Sequence, residues 1–213
     1  MTKTVELYWS FRSPYSYLVV PRLIELEQTH DVRIEVRPVL PIAVRQPDFF
    51  AHADPLWFGY LMRDCHRSAA YLGMPFRWPR PDPVVMDMAT RTYPKEQPYI
   101  HRLTRLGQLA AERGTGLPFL REISHTLWSG EVDSWHEGEH LTEAAARAGC
   151  DLAEMDRVLA VESERLDVAI KANEAAQREG GHYGVPLMVL DGEPFFGQDR
   201  VEQLAWRLEQ AGS

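Results

Sequence analysis

Strand-like alternation is confined to the two ends of this chain, and that placement restricts the fold more than any other feature. Residues 4–11, TVELYWSF, set Val5, Leu7, Trp9 and Phe11 against Glu6, Tyr8 and Ser10, the period of two that a pleated strand requires. Residues 32–37, VRIEVR, alternate again with Val32, Ile34 and Val36 on one face. Between them Pro14 suits a first helical turn, and Leu18, Val19, Leu23, Ile24 and Leu26 keep helical spacing up to Thr29. Strand, helix, strand in so short a span reads as a βαβ unit. Near the other end, PLMVLDGEPFF places two apolar runs around Asp191-Gly192, a dipeptide suited to a two-residue hairpin. A last amphipathic helix with Val201, Leu204, Ala205 and Leu208 is expected to start at Gln198 or Asp199, either of which would serve as its N-cap.

The middle reads differently. Residues 40–98 are rich in proline and aromatics, and within them DPLWFGYLMRDCHRSAAYLG is helical in pattern and stops at Gly73. Helical patterns follow from Tyr99 to Arg113, Leu117 to Ser129 and Glu139 to Ala148, and Asp151 opens DLAE, a capping-box-like start to a long helix reaching Arg178. Neither β-rich end can bury a core alone. Folded together they predict an α/β protein: a four-stranded sheet with helices on its faces, interrupted by a helical insertion. The expected division is a discontinuous domain from residues 1–41 and 181–213, and an insertion from 42–180.

Composition narrows the function classes. The 213 residues are 45% hydrophobic and 25% charged with a net charge of −8, and basic residues form no run. A nucleic-acid or anionic-membrane partner is therefore not expected. No apolar stretch approaches the roughly 20 residues that span a bilayer, and the N-terminus lacks the apolar run of a signal peptide. The two cysteines, Cys65 and Cys150, form no CxxC pair, which fits a reducing compartment, with the cytoplasm as the default.

Two short motifs carry chemistry. SPYS, Ser13 to Ser16, opens the first helix; GHYGVPLMVLDGEPFFGQDRVEQL, Gly181 to Leu204, runs through the hairpin into the last helix. Together with the βαβ and ββα order, they resemble the thioredoxin superfamily, in which CxxC occupies the place of SPYS. Within it the resemblance is to the DsbA-like group of kappa-class glutathione transferases and 2-hydroxychromene-2-carboxylate isomerases. RDCHRSAAYLGMPF is similar to a helix end of the same group.

That resemblance implies a thioredoxin-like fold with a DsbA-type helical insertion, glutathione as cofactor, a small aromatic substrate and a homodimer. The activity it implies is glutathione-dependent isomerisation of 2-hydroxychromene-2-carboxylate or a related ring-cleavage product, with glutathione transfer or plain binding as alternatives. Ser13 would take the place of the thioredoxin nucleophile. A serine cannot exchange disulfides, but its hydroxyl and the helix N-terminus both favour a bound thiolate over a thiol. Val185 and Pro186 would form a cis peptide facing Ser13, with the Val185 backbone pairing the cysteinyl part of glutathione. Gln198 and Asp199 would receive its γ-glutamyl end, the Asp carboxylate taking the ammonium. The group's Asn and Lys after the second strand are missing from PIAVRQPDFFAHADP, where Arg45 is the candidate substitute.

Other readings of the same residues are bland or weaker. Ser13 is also an ordinary helix N-cap, and Ser16 reads as structural. Ser13 as a hydrolase nucleophile would need a base such as His182, and Pro14 and Tyr15 do not resemble a nucleophile elbow. His136 to His140 spells H-E-x-x-H, but Gly138 lies inside it and the apolar pattern starts only at Leu141, so a zinc helix is not expected. Asp64-Cys65-His66 cannot form a thiol–base pair on a helix, because neighbours point about 100° apart. Phe49, Phe50, Trp57, Phe58 and Tyr60 read as core, with part of the cluster a candidate apolar wall over Ser13.

Overall fold

The computed structural model describes residues 2–50, 52–87 and 92–211. β1 (Lys3–Trp9), α1 (Pro14–Thr29) and β2 (Val32–Pro38) form the opening unit. Then come α2 (Ile42–Arg45), α3 (Pro55–Tyr71), α4 (Ile100–Glu112), α5 (Gly116–Trp128), α6 (His140–Arg147) and α7 (Leu152–Glu179). β3 (Leu187–Leu190), β4 (Glu193–Phe196), a 3-10 turn (Gln198–Arg200) and α8 (Val201–Ala211) complete the chain. The sheet order is β2-β1-β3-β4. β1 runs parallel to β2, with Val5 opposite Ile34 and Leu7 opposite Val36. It runs antiparallel to β3, with Leu7 opposite Met188. Asp191 and Gly192 both take positive φ, 51° and 83°, the conformation that a two-residue turn of this type demands.

Both sheet faces are covered, so β1 is buried throughout its second half. One cluster joins Leu7 and Trp9 to Leu18 and Leu23 of α1, Leu103 and Leu106 of α4, and Phe119 and Ile123 of α5. On the opposite face Tyr8, Val39, Leu187 and Val189 pack with Ala176 of α7 and Val185. β1 ends at Trp9, two residues earlier than the alternation predicts, because the chain turns there and Ser13 N–H donates to Ser10 O at 3.1 Å. Phe11 stays fully buried within that turn. Truncating such a ring costs about 3–5 kcal/mol.

Three expectations need correction. Neither Gln198 nor Asp199 caps the last helix. Gly197, at φ 107°, precedes the 3-10 turn with no side-chain cap, and α8 begins only at Val201. The reason is competition: the Gln198 side-chain oxygen accepts from Arg22 Nη1 at 3.2 Å, and the Asp199 carboxylate pairs with Arg200 at 3.1 Å. The aromatic residues of α3 are not core; Trp57, Phe58 and Tyr60 are about half exposed. α2, a single helical turn, was not expected at all. By contrast Asp151 does cap α7, accepting from Glu154 N–H at 3.0 Å. The H-E-x-x-H stretch is broken as expected, with Gly138 at φ 58° and α6 starting at His140. No helix among the described residues is long and apolar enough to cross a membrane.

Candidate active site

The site is built where the β1–α1 turn meets the loop before β3. Ser13 has extended backbone angles and caps α1, its Oγ accepting from Ser16 N–H at 3.2 Å. Pro14 at the first helical position donates no N–H, so nothing competes for that place. The same Ser13 hydroxyl donates to Val185 O at 3.3 Å, 172 residues away in sequence. Both contacts are long for their type, so the hydroxyl can exchange them for a better acceptor at little cost. The turn itself is held from beneath. Trp128 Nε1 donates to Phe11 O at 3.0 Å, and Trp9 Nε1 donates to Ser16 O at 2.8 Å. Ser16 is fully buried and its hydroxyl has no partner among the described residues, consistent with a structural place one turn inside the helix.

The opposing wall is the segment 181–186. The Val185-Pro186 peptide is cis, as the resemblance implies. Among the described residues Val185 N–H makes no hydrogen bond, so a backbone donor and acceptor lie beside Ser13, as on a free strand edge. Pro186 O accepts from Gly197 N–H at 3.0 Å, which ties the cis-proline to the 3-10 turn carrying Gln198 and Asp199. Ser13 and Val185 therefore meet directly, with Pro186 following across the cis peptide. Gln198 and Asp199 come alongside through the backbone, and the Asp199 side chain is mostly exposed.

The support under this loop was not foreseen. Gln177 of α7 is fully buried and donates from Nε2 to Gly184 O at 2.7 Å. Arg45, on α2, donates to Gln177 Oε1 at 3.1 Å and to Tyr183 O at 3.0 Å. Arg45 thus serves the loop, and burial lowers its pKa against the opposing pull of Glu174. Burial pushes the Glu174 carboxyl up, even though it accepts from Leu40 N–H. His182 Nδ1 accepts from Gly184 N–H at 2.9 Å, and its ring stacks between Tyr183 and Phe196 with centroids 4.8 and 3.7 Å away. The GVP segment and the family resemblance it carries mark this loop in the sequence; the buried polar residues beneath it carry no local signal.

An aromatic wall leads away from the loop. Phe49 meets Tyr183 at 6.1 Å and Trp57 at 6.4 Å, and Phe50 meets Trp57 and Tyr93, each at 5.9 Å. Tyr15 donates to Asp64 at 2.6 Å; burial first, then that bond, raises the phenol pKa far above its ordinary value. Burial pushes the Cys65 thiol up to about 12, so it is no thiolate at neutral pH. His66 packs edge-on against Phe76.

A four-stranded β2-β1-β3-β4 sheet with a helix started by S-x-x-S opposite a cis-proline defines a thioredoxin-fold protein without the redox cysteines. More narrowly, the chain belongs to the DSBA-like thioredoxin domain family, whose model matches residues 4–209. It is 26% identical over 209 residues to a 2-hydroxychromene-2-carboxylate isomerase from Sphingobium xenophagum, covering 96% of this chain and 97% of that one. It is 22% identical to glutathione S-transferase kappa 1 of Rattus norvegicus, covering 97% and 91%. A solved 2-hydroxychromene-2-carboxylate isomerase has the same fold, with a TM-score of 0.72 at 20% identity over 98% of this chain and 95% of that one.

Proposed function

We propose that the protein is a glutathione-dependent isomerase of 2-hydroxychromene-2-carboxylate or a related aromatic ring-cleavage product, working in the cytoplasm as a homodimer. The observation that carries this reading is the Ser13 hydroxyl, set at a helix N-terminus and 3.3 Å from the carbonyl of the residue before a cis-proline. The residues present fit the cofactor: a hydroxyl donor, a Val185 N–H with no partner among the described residues, and a mostly exposed carboxylate at Asp199. Glutathione held by these residues would supply a thiolate able to add reversibly to a conjugated carbon of the substrate and to be released unchanged.

What the chain contributes is positioning and charge. Ser13 turns its O–H from Val185 O to the sulfur, and the α1 N-terminus adds positive potential, so both hold the proton off the thiol. Val185 N–H and C=O pair the cysteinyl backbone. Asp199 takes the γ-glutamyl ammonium, for which it must part from Arg200, while Gln198 lines the same end. Edge-to-face rings of Phe49, Trp57 and Tyr183, the last two about half exposed, present an apolar cluster beside the loop, suited to an aromatic substrate. In this reading the unit formed by 1–41 and 181–213 holds the thiol, and the insertion 42–180 receives the substrate.

Likeness to a kappa-class glutathione transferase favours a second reading, in which the thiol is conjugated to an electrophile. A product assay separates them. Isomerisation of 2-hydroxychromene-2-carboxylate with glutathione undiminished supports the first, and stoichiometric loss of free thiol supports the second. Neither product, with no glutathione binding at millimolar ligand, would leave a non-catalytic binding protein.

A further inference from the structure

The segment 74–87 has no part in the chemistry above, yet its bonds converge on the turn that carries Ser13. Pro75 O accepts from Tyr17 Oη at 2.8 Å, and Arg77 N–H donates to Trp128 O at 2.7 Å. Trp78 meets the Trp128 ring edge-on at 5.1 Å, and it is Trp128 that holds Phe11 O. Further along, Arg80 O accepts from Ser134 N–H at 2.9 Å and Pro81 O accepts from Trp135 Nε1 at 2.7 Å. The segment is thereby fixed to α1, to α5 and to the loop before α6.

From this fixed segment Asp82 reaches Arg12, the residue bonded to Ser13. Arg12 Nε donates to Oδ1 at 3.2 Å and Nη2 to Oδ2 at 3.0 Å, while Oδ1 also accepts from Val84 N–H at 2.9 Å. The guanidinium carbon lies 5.9 Å from the Trp78 ring centroid. Exposed ion pairs contribute little, but this one is bidentate and its side chains are only 16% and 28% exposed. Among the described residues the backbone of Arg12 has otherwise a single long contact, N–H to Ser10 Oγ at 3.5 Å. Ser13 keeps its two partners near the limit of hydrogen-bonding distance, so a shift of its turn by a few tenths of an ångström would break them.

We propose that residues 74–87 act as a strap, and that Arg12 and Asp82 are positioning residues holding Ser13 in register with Val185. The chemical purpose rests on the thiol site proposed above; the mechanical coupling does not, and the experiment reads the two apart. Hydrogen exchange is followed in the folded, unliganded chain for wild type, Asp82→Asn, Arg12→Lys and Asp82→Glu. In Asp82→Asn the amides of Ser16 and Tyr17, which bond Ser13 Oγ and Ser13 O, exchange about tenfold faster, the loss expected for charge-assisted bonds, while α4 and β3 keep their protection. Arg12→Lys behaves alike, because an ammonium cannot make the fork, and it carries the reading if Asp82→Asn does not fold. Asp82→Glu restores protection. With glutathione bound, the thiol pKa in Asp82→Asn moves back toward the free value, which a merely structural substitution elsewhere does not cause. Unchanged exchange at Ser16 and Tyr17 in a folded variant, or an equal rise through α4 and β3, overturns the strap. Wild type that binds no glutathione refutes the thiol site, and exchange alone then decides the strap.

Discussion

Ser13→Ala removes the donor proposed for the sulfur, the acceptor for Ser16 N–H and the contact to Val185 O. These losses appear in different measurements. A hydrogen bond to a charged group contributes about 1.5–3 kcal/mol, and 1.36 kcal/mol corresponds to one pKa unit. Losing the bond to the thiolate therefore raises the pKa of the bound thiol by about one to two units. The helix N-terminus remains in the variant and contributes about 0.3–1 kcal/mol, so the thiol stays slightly below its free value. Loss of the cap costs about 0.5–2 kcal/mol, with the long 3.2 Å bond placing it toward the lower end. For a chain of this length each 1 kcal/mol lowers Tm by about 2–4 °C. Ser13→Asp separates the two effects: it keeps a capping oxygen, so Tm stays near wild type, but its carboxylate drives the thiol pKa above that of the alanine variant. The assay is the ultraviolet thiolate absorbance of bound glutathione against pH, with thermal unfolding in parallel. An alanine variant with an unaltered thiolate titration and wild-type turnover would refute the role given to Ser13.

Three further outcomes follow from the loop. Gly184→Ala puts a Cβ 2.6 Å from Phe196 Cε2 and 3.0 Å from His182 Cε1, so it should lose about 1–3 kcal/mol by overpacking; Phe196→Ala in the same chain should recover most of it on a denaturant curve. Gln177→Leu leaves Gly184 O and one Arg45 N–H unpaired in a buried place, costing about 1–3 kcal/mol and raising KM for glutathione more than it lowers kcat. Burial lowers the His182 pKa, and the bond that Nδ1 accepts from Gly184 N–H requires the unprotonated nitrogen. The neutral ring is thus the native form, and its contribution is present above the ordinary histidine value of about 6.5 and lost as pH falls below it. The protection factor of the Gly184 amide, taken against its intrinsic exchange at the same pH, should fall in that acid range in wild type and lose this dependence in His182→Phe.

What was legible in the sequence follows from the range of the interactions. Val5, Leu7 and Trp9, the Asp191-Gly192 turn and the Asp151 cap are local signals, and the strands, hairpin and long helix formed where they pointed. The aromatic run Trp57, Phe58 and Tyr60 misleads, because rings crowded into one turn of a helix do not say which face a distant loop will cover. Gln198 and Asp199 have good capping chemistry, but Arg22, far away in sequence, and the adjacent Arg200 claim their oxygens. Arg12 and Asp82 are 70 residues apart, and Arg45 and Gln177 are 132 apart. No periodicity or motif joins such pairs, so the supports of the site came only from the fold. Ser13 and Val185 are equally distant, 172 residues, yet were paired in advance through the family resemblance carried by SPYS and GVP.

A structure of the chain with glutathione bound tests the central claim most directly. The account predicts the glutathione sulfur within hydrogen-bonding distance of Ser13 Oγ, the cysteinyl backbone paired with Val185 N–H and C=O, and the γ-glutamyl ammonium at Asp199. Glutathione seated elsewhere, or a site beside Ser13 still empty at millimolar ligand, would contradict it.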